Sequence, residues 1–153
     1  RKSMAVNFYG HQWVSSEAVR VMLRQASPTG GSLLYNISKA PLNPGNKLGP
    51  YVVAKAATLA LMRQYAIEYG AHGIRANAVN ADRVMTNLFD MKLVEDRARA
   101  RGLTAQEYFR SNLLKRQVFA EDVANVFLNL TLSLKTTAAI VTVDGGNIAA
   151  AVR

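Results

Sequence analysis

The 153-residue chain has no cysteine, which excludes a disulfide framework and any thiolate-bound metal. That absence suits a reducing compartment, and a cytoplasmic location is expected. Histidine is also scarce. His11 and His72 stand far apart, without carboxylates at ligand spacing, so no metal site is expected. The longest apolar stretches, 56–62 and 138–143, fall far short of a membrane span, and no membrane partner is expected. No glycine-rich phosphate-binding turn occurs, because Gly30-Gly31 and Gly145-Gly146 both lack the strand-to-helix context and spacing. The serine-centred elbow of hydrolases is missing too.

Acidic residues are few. Ten Asp and Glu face nineteen Lys and Arg, a net charge of +9. Such an excess attracts nucleic acid or an anionic cofactor. The basic residues are scattered, with neither a run nor an aromatic ladder, so nucleic acid is not an expected partner. The plainer reading is a basic half of a larger, more neutral protein. The opening Arg1-Lys2-Ser3 has no initiator Met and no signal-peptide core, which fits a truncated or cleaved chain.

What the chain does have is a 50% hydrophobic composition with 19% charged residues, enough for one folded domain. Val6, Val14, Ala18, Val21 and Met22 recur at helical spacing between Ser3 and Gln25, and the turn at 27–31 stops that helix. Ser32–Ser38 is short and apolar between turns, which predicts a buried strand. A loop with Pro41, Pro44, Gly45 and Gly49 comes next. A long helix is predicted from Tyr51 to Tyr69, with Pro50 ahead and Gly70 behind. Its apolar residues surround most of the circumference, so a partner surface beyond the sheet is expected, a second copy of the chain.

Ile74–Asn80 and Ala139–Val143 read as strands. Two helices over Asn87–Gln117 break at Gly102-Leu103-Thr104, with Thr104 and Glu107 as a capping box, and Glu121–Leu132 is another helix. Strands alternating with helices predict an α/β fold with three parallel strands. The apolar first strand then has an uncovered edge, which further strands upstream would cover.

Tyr51 and Lys55 are four residues apart on the predicted helix, and Ser38 lies thirteen residues before Tyr51 at the strand's end. A phenol and an ammonium on one helix face suit proton transfer, since a nearby cation favours the phenolate. Singly, each residue has a plain structural reading: Ser38 as a turn cap, Lys55 on a wet face, Tyr51 as a packing aromatic, Asn7 as a solvated helix residue. Together, and in register with three further sequence blocks, they read as a site.

Ser38, Tyr51 and Lys55, then Gly73-Ile74-Arg75-Ala76-Asn77-Ala78-Val79, Val84-x-Thr86 and Val143-Asp144-Gly145-Gly146, resemble the carboxyl half of the short-chain dehydrogenase/reductase family. Asn7 within Val6-Asn7-Phe8-Tyr9-Gly10 extends the resemblance over essentially the whole chain. Leu113-Leu114-Lys115-Arg116, Glu121-Asp122-Val123-Ala124, Lys135-Thr136-Thr137 and the ending 143–150 resemble more closely the dehydrogenase domain of bifunctional rhamnulose-1-phosphate aldolase/short-chain dehydrogenases.

The resemblance implies the carboxyl half of a doubly wound Rossmann domain, whose upstream strands and Gly-rich turn lie outside residues 1–153. It implies a hydride-transferring oxidoreductase acting on a small alcohol or carbonyl compound, such as the sugar-derived lactaldehyde, with NAD or NADP as cofactor. Tyr51 would be the general acid/base. Lys55 would stabilise the phenolate and bind the nicotinamide ribose, Ser38 would hold the substrate oxygen, and Asn7 would hold a relay water. Cofactor contacts would fall on Tyr51, Lys55, Asn80, Ala81, Asp82, Val84 and Thr86. The family's common Pro-Gly is here Ala81-Asp82. Substrate choice would sit in the loops 39–50 and 87–117, and without the Gly-rich turn the chain alone is expected to bind dinucleotide poorly. The alternative is a catalytically silent cofactor-sensing or scaffold module. Retention of Asn7, Ser38, Tyr51 and Lys55 argues against it.

Overall fold

The computed structural model describes residues 1–25, 30–87 and 90–148. The predicted turn residues 27–29, part of the second variable loop at 88–89 and the ending Ala149-Ala150 lie outside the described residues. The central strand is β2 (Ile74–Ala81), flanked by β1 (Gly31–Asn36) and β5 (Ile140–Val143) in the order β1-β2-β5, all parallel. β2 is buried on both faces because its residues are small or apolar on both. Ile74, Ala76 and Ala78 pack on one side with Leu59, Met62, Tyr65 and Val19. On the other, Val79 and Ala81 meet Val123, Val126, Phe127 and Leu130.

The first face is covered by α3 (Gly49–Tyr69), with Pro50 in its first turn, and by α2 (Gly10–Met22). α2 continues α1 (Lys2–Met4) through a π-helical turn, Ala5–Tyr9, that the hydrophobic pattern did not foretell. The face of α2 turned to the sheet is Ser15, Ala18, Val19 and Met22, at i, i+3, i+4 and i+7. Val6, Val14 and Val21 of the predicted stripe fall outside it and stand exposed. Trp13 is 65% exposed, its ring stacked on Tyr9.

The second face is covered by α6 (Ala120–Leu132). Before it come α4 (Met91–Arg99) and α5 (Ala105–Phe109), which form their own cluster through Val94, Ala98, Tyr108 and Phe109. The capping box at Thr104 forms as its residues predict, with the Glu107 carboxylate accepting from the Thr104 N–H at 2.7 Å. A second, two-stranded parallel sheet joins β3 (Val84–Met85) to β4 (Val118–Phe119). Two-residue strands carry no period, so the sequence reading missed them.

Two polar side chains of β2 lock the layers. The Arg75 guanidinium donates to the carbonyls of Leu130 at 2.8 Å, Thr131 at 2.8 Å and Ser133 at 3.1 Å, closing the carboxyl end of α6 where orphan carbonyls and the helix dipole favour a cation. Asn77 donates to the Thr136 carbonyl at 2.9 Å and accepts from the Ala139 N–H at 3.0 Å, setting the approach to β5. After β5, Asp144 accepts from the Gly146 and Ile148 amides at 2.7 and 2.6 Å. Gly145 there has φ 64°, and a Cβ would come within 2.4 Å of the Asn112 side chain. Only glycine fits that turn.

Among the described residues β1 pairs with β2 alone, and its other side opens on a groove of about 490 Å³ against α2. Arg75→Met is expected to lower unfolding free energy by about 2 kcal/mol, because three charge-assisted bonds are lost from one helix end. Urea titration checks this, and an unmoved midpoint contradicts it.

Candidate active site

A cavity of about 910 Å³ opens at the carboxyl ends of β1 and β2, where parallel sheets place their ligands. Its wall takes Asn7 from the π-helical turn, Ser38 from beyond β1, Tyr51 and Lys55 from α3, Ala81 from the end of β2, and Asp82, Val84 and Thr86 from the segment after it. Asn7, Ser38, Tyr51 and Lys55 are thus brought to one place. Asn80 is the exception among the cofactor contacts implied by the resemblance. It is 0% exposed and absent from the cavity wall, because the pleat turns it to the same face as Ile74, Ala76 and Ala78. Among the described residues its amide has no hydrogen-bond partner.

Lys55 is only 7% exposed. One turn after Tyr51, it reaches past the helix to β1, and its ammonium donates to the Asn36 carbonyl at 2.8 Å. Its Nζ lies 6.0 Å from the centroid of the Tyr51 ring. Burial holds the Lys55 pKa below the ordinary lysine value, since the charged form loses water. An ammonium has three donors, so two remain for the Tyr51 side and for a ligand hydroxyl.

Ser38 caps a turn and faces the cavity. Its Oγ accepts from the Ala40 N–H at 3.3 Å, which caps the turn, and it also lines the cavity with its own hydrogen left to donate. Asn7 is held twice: its side-chain amide donates to the Ser3 carbonyl at 3.2 Å, and its own carbonyl accepts from the Thr58 hydroxyl. Thr58, fully buried on α3, also reaches the Ala54 carbonyl at 3.0 Å. A buried hydroxyl at that position ties the π-helical turn to the helix that carries Tyr51 and Lys55. The sequence reading missed Thr58, although a lone hydroxyl three residues past Lys55 in an Ala/Leu-rich stretch was a signal. It also missed Asn36, which acts through its backbone and leaves no trace in residue type.

Asp82 lines the cavity and braces it. Its carboxylate meets Lys39 from beyond β1 at 3.3 Å and Arg83 at 3.6 Å, and it accepts from the Asn147 side chain beyond β5. One carboxylate therefore joins the ends of all three strands. Arg83, at φ 49°, donates to the Tyr108 carbonyl at 3.1 Å and lies over the Tyr108 ring, 4.4 Å from its centroid.

The parallel strands thus end at a cavity lined by a phenol, a desolvated ammonium and a hydroxyl. A family model described as enoyl-(acyl carrier protein) reductase matches residues 1–147, and the chain belongs to the short-chain dehydrogenase/reductase family, a family of oxidoreductases. It is 33% identical over 150 residues to a short chain dehydrogenase/reductase, astE, of Aspergillus oryzae, covering 95% of this chain and 54% of that protein. It is 31% identical over 148 residues to an L-rhamnose 1-dehydrogenase (NAD(P)(+)) of Sphingomonas sp., covering 95% of this chain and 55% of the other. A solved short-chain type dehydrogenase/reductase from Mycobacterium ulcerans superposes with a TM-score of 0.84 at 30% identity, over 97% of this chain and 52% of that one. The chain therefore spans about half the length of the relatives it matches.

His11 lies next to this site, on the groove between α2 and β1. Burial first, and the Lys55 charge second, hold its pKa below the ordinary histidine value, against an opposing contact with the Val6 backbone; among the described residues its Nδ1 has no hydrogen-bond partner. A lowered pKa means that the unfolded chain binds the proton first as pH falls, so His11 costs stability on acidification through its unfolded pKa. His11→Gln is expected to flatten the loss of stability from pH of about 7 down to about 5. Urea midpoints across that range check it, and an identical slope in the variant contradicts it.

Proposed function

We propose that the protein transfers a hydride between a nicotinamide cofactor and a small alcohol or carbonyl compound. The observation that carries this reading is the convergence of Ser38, Tyr51 and the buried Lys55 on one cavity at the strand ends. When bound, NAD or NADP supplies the hydride acceptor or donor. The residues fit its nicotinamide end: the cavity is within the size range of cofactor pockets, and Lys55 keeps two donors for a ribose. Ala81, Asp82, Val84 and Thr86 would line its path.

In the direction of oxidation, Tyr51 as phenolate takes the proton from the substrate hydroxyl while the carbon-bound hydrogen leaves as hydride; reduction runs the same path backwards. Ser38 donates to the substrate oxygen and holds it against Tyr51. Lys55 stabilises the phenolate by charge, and Asn7, fixed by Thr58, positions a water for proton exchange with solvent. A sugar-derived aldehyde such as lactaldehyde fits the small, polar site, and the rhamnose-oxidising relative supports a role in carbohydrate metabolism.

Residues 1–153 are, on this reading, the carboxyl half of a Rossmann domain. The free edge of β1 takes the upstream strands, which bring the Gly-rich turn, so the chain alone binds dinucleotide weakly and is inactive. Fusion to an upstream aldolase and a cytoplasmic location belong to the same proposal. A second copy packs on the exposed apolar residues Val53 and Ile67 of α3 and Trp13 and Val14 of α2, 60, 75, 65 and 71% exposed.

Tyr51→Phe in the protein that carries this chain is expected to lower kcat by about 100-fold or more, the usual scale for losing a positioned acid/base, with an unchanged circular-dichroism spectrum. Undiminished turnover contradicts the assignment of Tyr51.

A further inference from the structure

The cavity wall carries five cations, Lys39, Lys55, Arg83, Arg97 and Arg101, against one acid, Asp82. Lys55 belongs to the proton-transfer group, and Lys39 and Arg83 are held by Asp82. That leaves Arg97, on α4, and Arg101, one turn further along. Among the described residues the Arg97 guanidinium has no hydrogen-bond or ion-pair partner. Arg101 donates one N–H to the Arg97 carbonyl at 2.7 Å and sits over the Tyr108 ring at 5.6 Å, the same ring that Arg83 approaches at 4.4 Å. Arg83 and Arg101 both lie against the Tyr108 ring and Arg97 lines the same cavity, while the one carboxylate of the wall, Asp82, is already shared by Lys39 and Arg83. A cleft lined by one sign of charge concentrates the opposite sign, and guanidiniums match the oxygens of carboxylate and phosphate in particular.

We propose that Arg97 and Arg101 bind an oxyanion group, phosphate or carboxylate, on the substrate itself, remote from the carbonyl or hydroxyl that reacts. The inference rests on the oxidoreductase reading and sets its substrate class: a small phosphorylated or carboxylated aldehyde, ketone or alcohol. The bound dinucleotide's diphosphate is the rival source of the same chemistry, and the test separates the two.

The protein carrying this chain is assayed with glyceraldehyde, glyceraldehyde phosphate and succinic semialdehyde, as wild type and as Arg97→Gln, Arg101→Gln and Arg99→Gln. Arg99 is the control, an arginine of the same helix whose side chain is 80% exposed and faces Asp96 at 3.8 Å. The ratio of kcat/KM for an anionic over the neutral aldehyde is expected to fall by about 10-fold or more in Arg97→Gln and Arg101→Gln, the loss of one charge-assisted contact, and to hold in Arg99→Gln. Which anion shows the larger fall tells phosphate from carboxylate. An unchanged ratio overturns the proposal, and so does a rise confined to the KM of the dinucleotide, which would assign the arginines to the cofactor. A readout without turnover stands beside this: inorganic phosphate is expected to protect Arg97 and Arg101, and not Arg99, from phenylglyoxal, followed by mass spectrometry. Equal protection of all three overturns the anion site. No oxidation or reduction of any substrate, with protection intact, sinks the oxidoreductase reading and leaves the anion site standing.

Discussion

A buried ammonium governs this structure. Lys55 has lost nearly all of its water, and a bare charge in a protein interior is costly unless something replaces that water. The replacement is a backbone carbonyl, that of Asn36 in β1, and the bond ties the first turns of α3 to the carboxyl end of the strand beside it. Much else depends on that tie. Tyr51 is placed one turn before the ammonium, Ser38 two residues beyond the carbonyl, and the cavity opens between them. Because a carbonyl accepts without neutralising, the positive charge stays available to a phenolate or a ligand.

The supports around this bond are polar side chains at layer boundaries. Thr58 fixes the π-helical turn to α3 and so holds Asn7 against the helix that carries Lys55. Asp82 gathers Lys39, Arg83 and Asn147, one from beyond each strand, and keeps the strand ends from splaying. Arg75 and Asn77 do the same at the opposite end of β2, against α6 and the approach to β5. The apolar layers supply the burial, and these few polar contacts set the register in which a site can form.

Much of this was legible in residue order. Turn residues around short apolar runs marked the three main strands, and the helix from Pro50 to Gly70 was bounded by its own breakers. The Gly73–Val79 block, noticed as a pattern, has a mechanical meaning in Arg75 and Asn77. What could not be read is of three kinds. Backbone acceptors such as Asn36 have no signature in residue type. The π-helical turn around Asn7 is a change of helical winding that the apolar spacing does not encode, and α2 turns a different face to the sheet than the predicted stripe. The family resemblance implied a cofactor contact for Asn80, whereas the alternation of a strand carries its side chain to the other side of the chain from Ala81. Likewise, Arg97 and Arg101 reach the cavity only through tertiary packing.

The most direct test of the account is replacement of Lys55 by Met, which keeps the length of the side chain and removes its charge, with hydride transfer measured in a single turnover beside the melting temperature. If the ammonium is there for chemistry, transfer falls by about 100-fold or more in a protein that still folds, with a melting temperature lowered by no more than the loss of the bond to Asn36. Transfer at the wild-type rate in a folded Lys55→Met protein would contradict the account at its root.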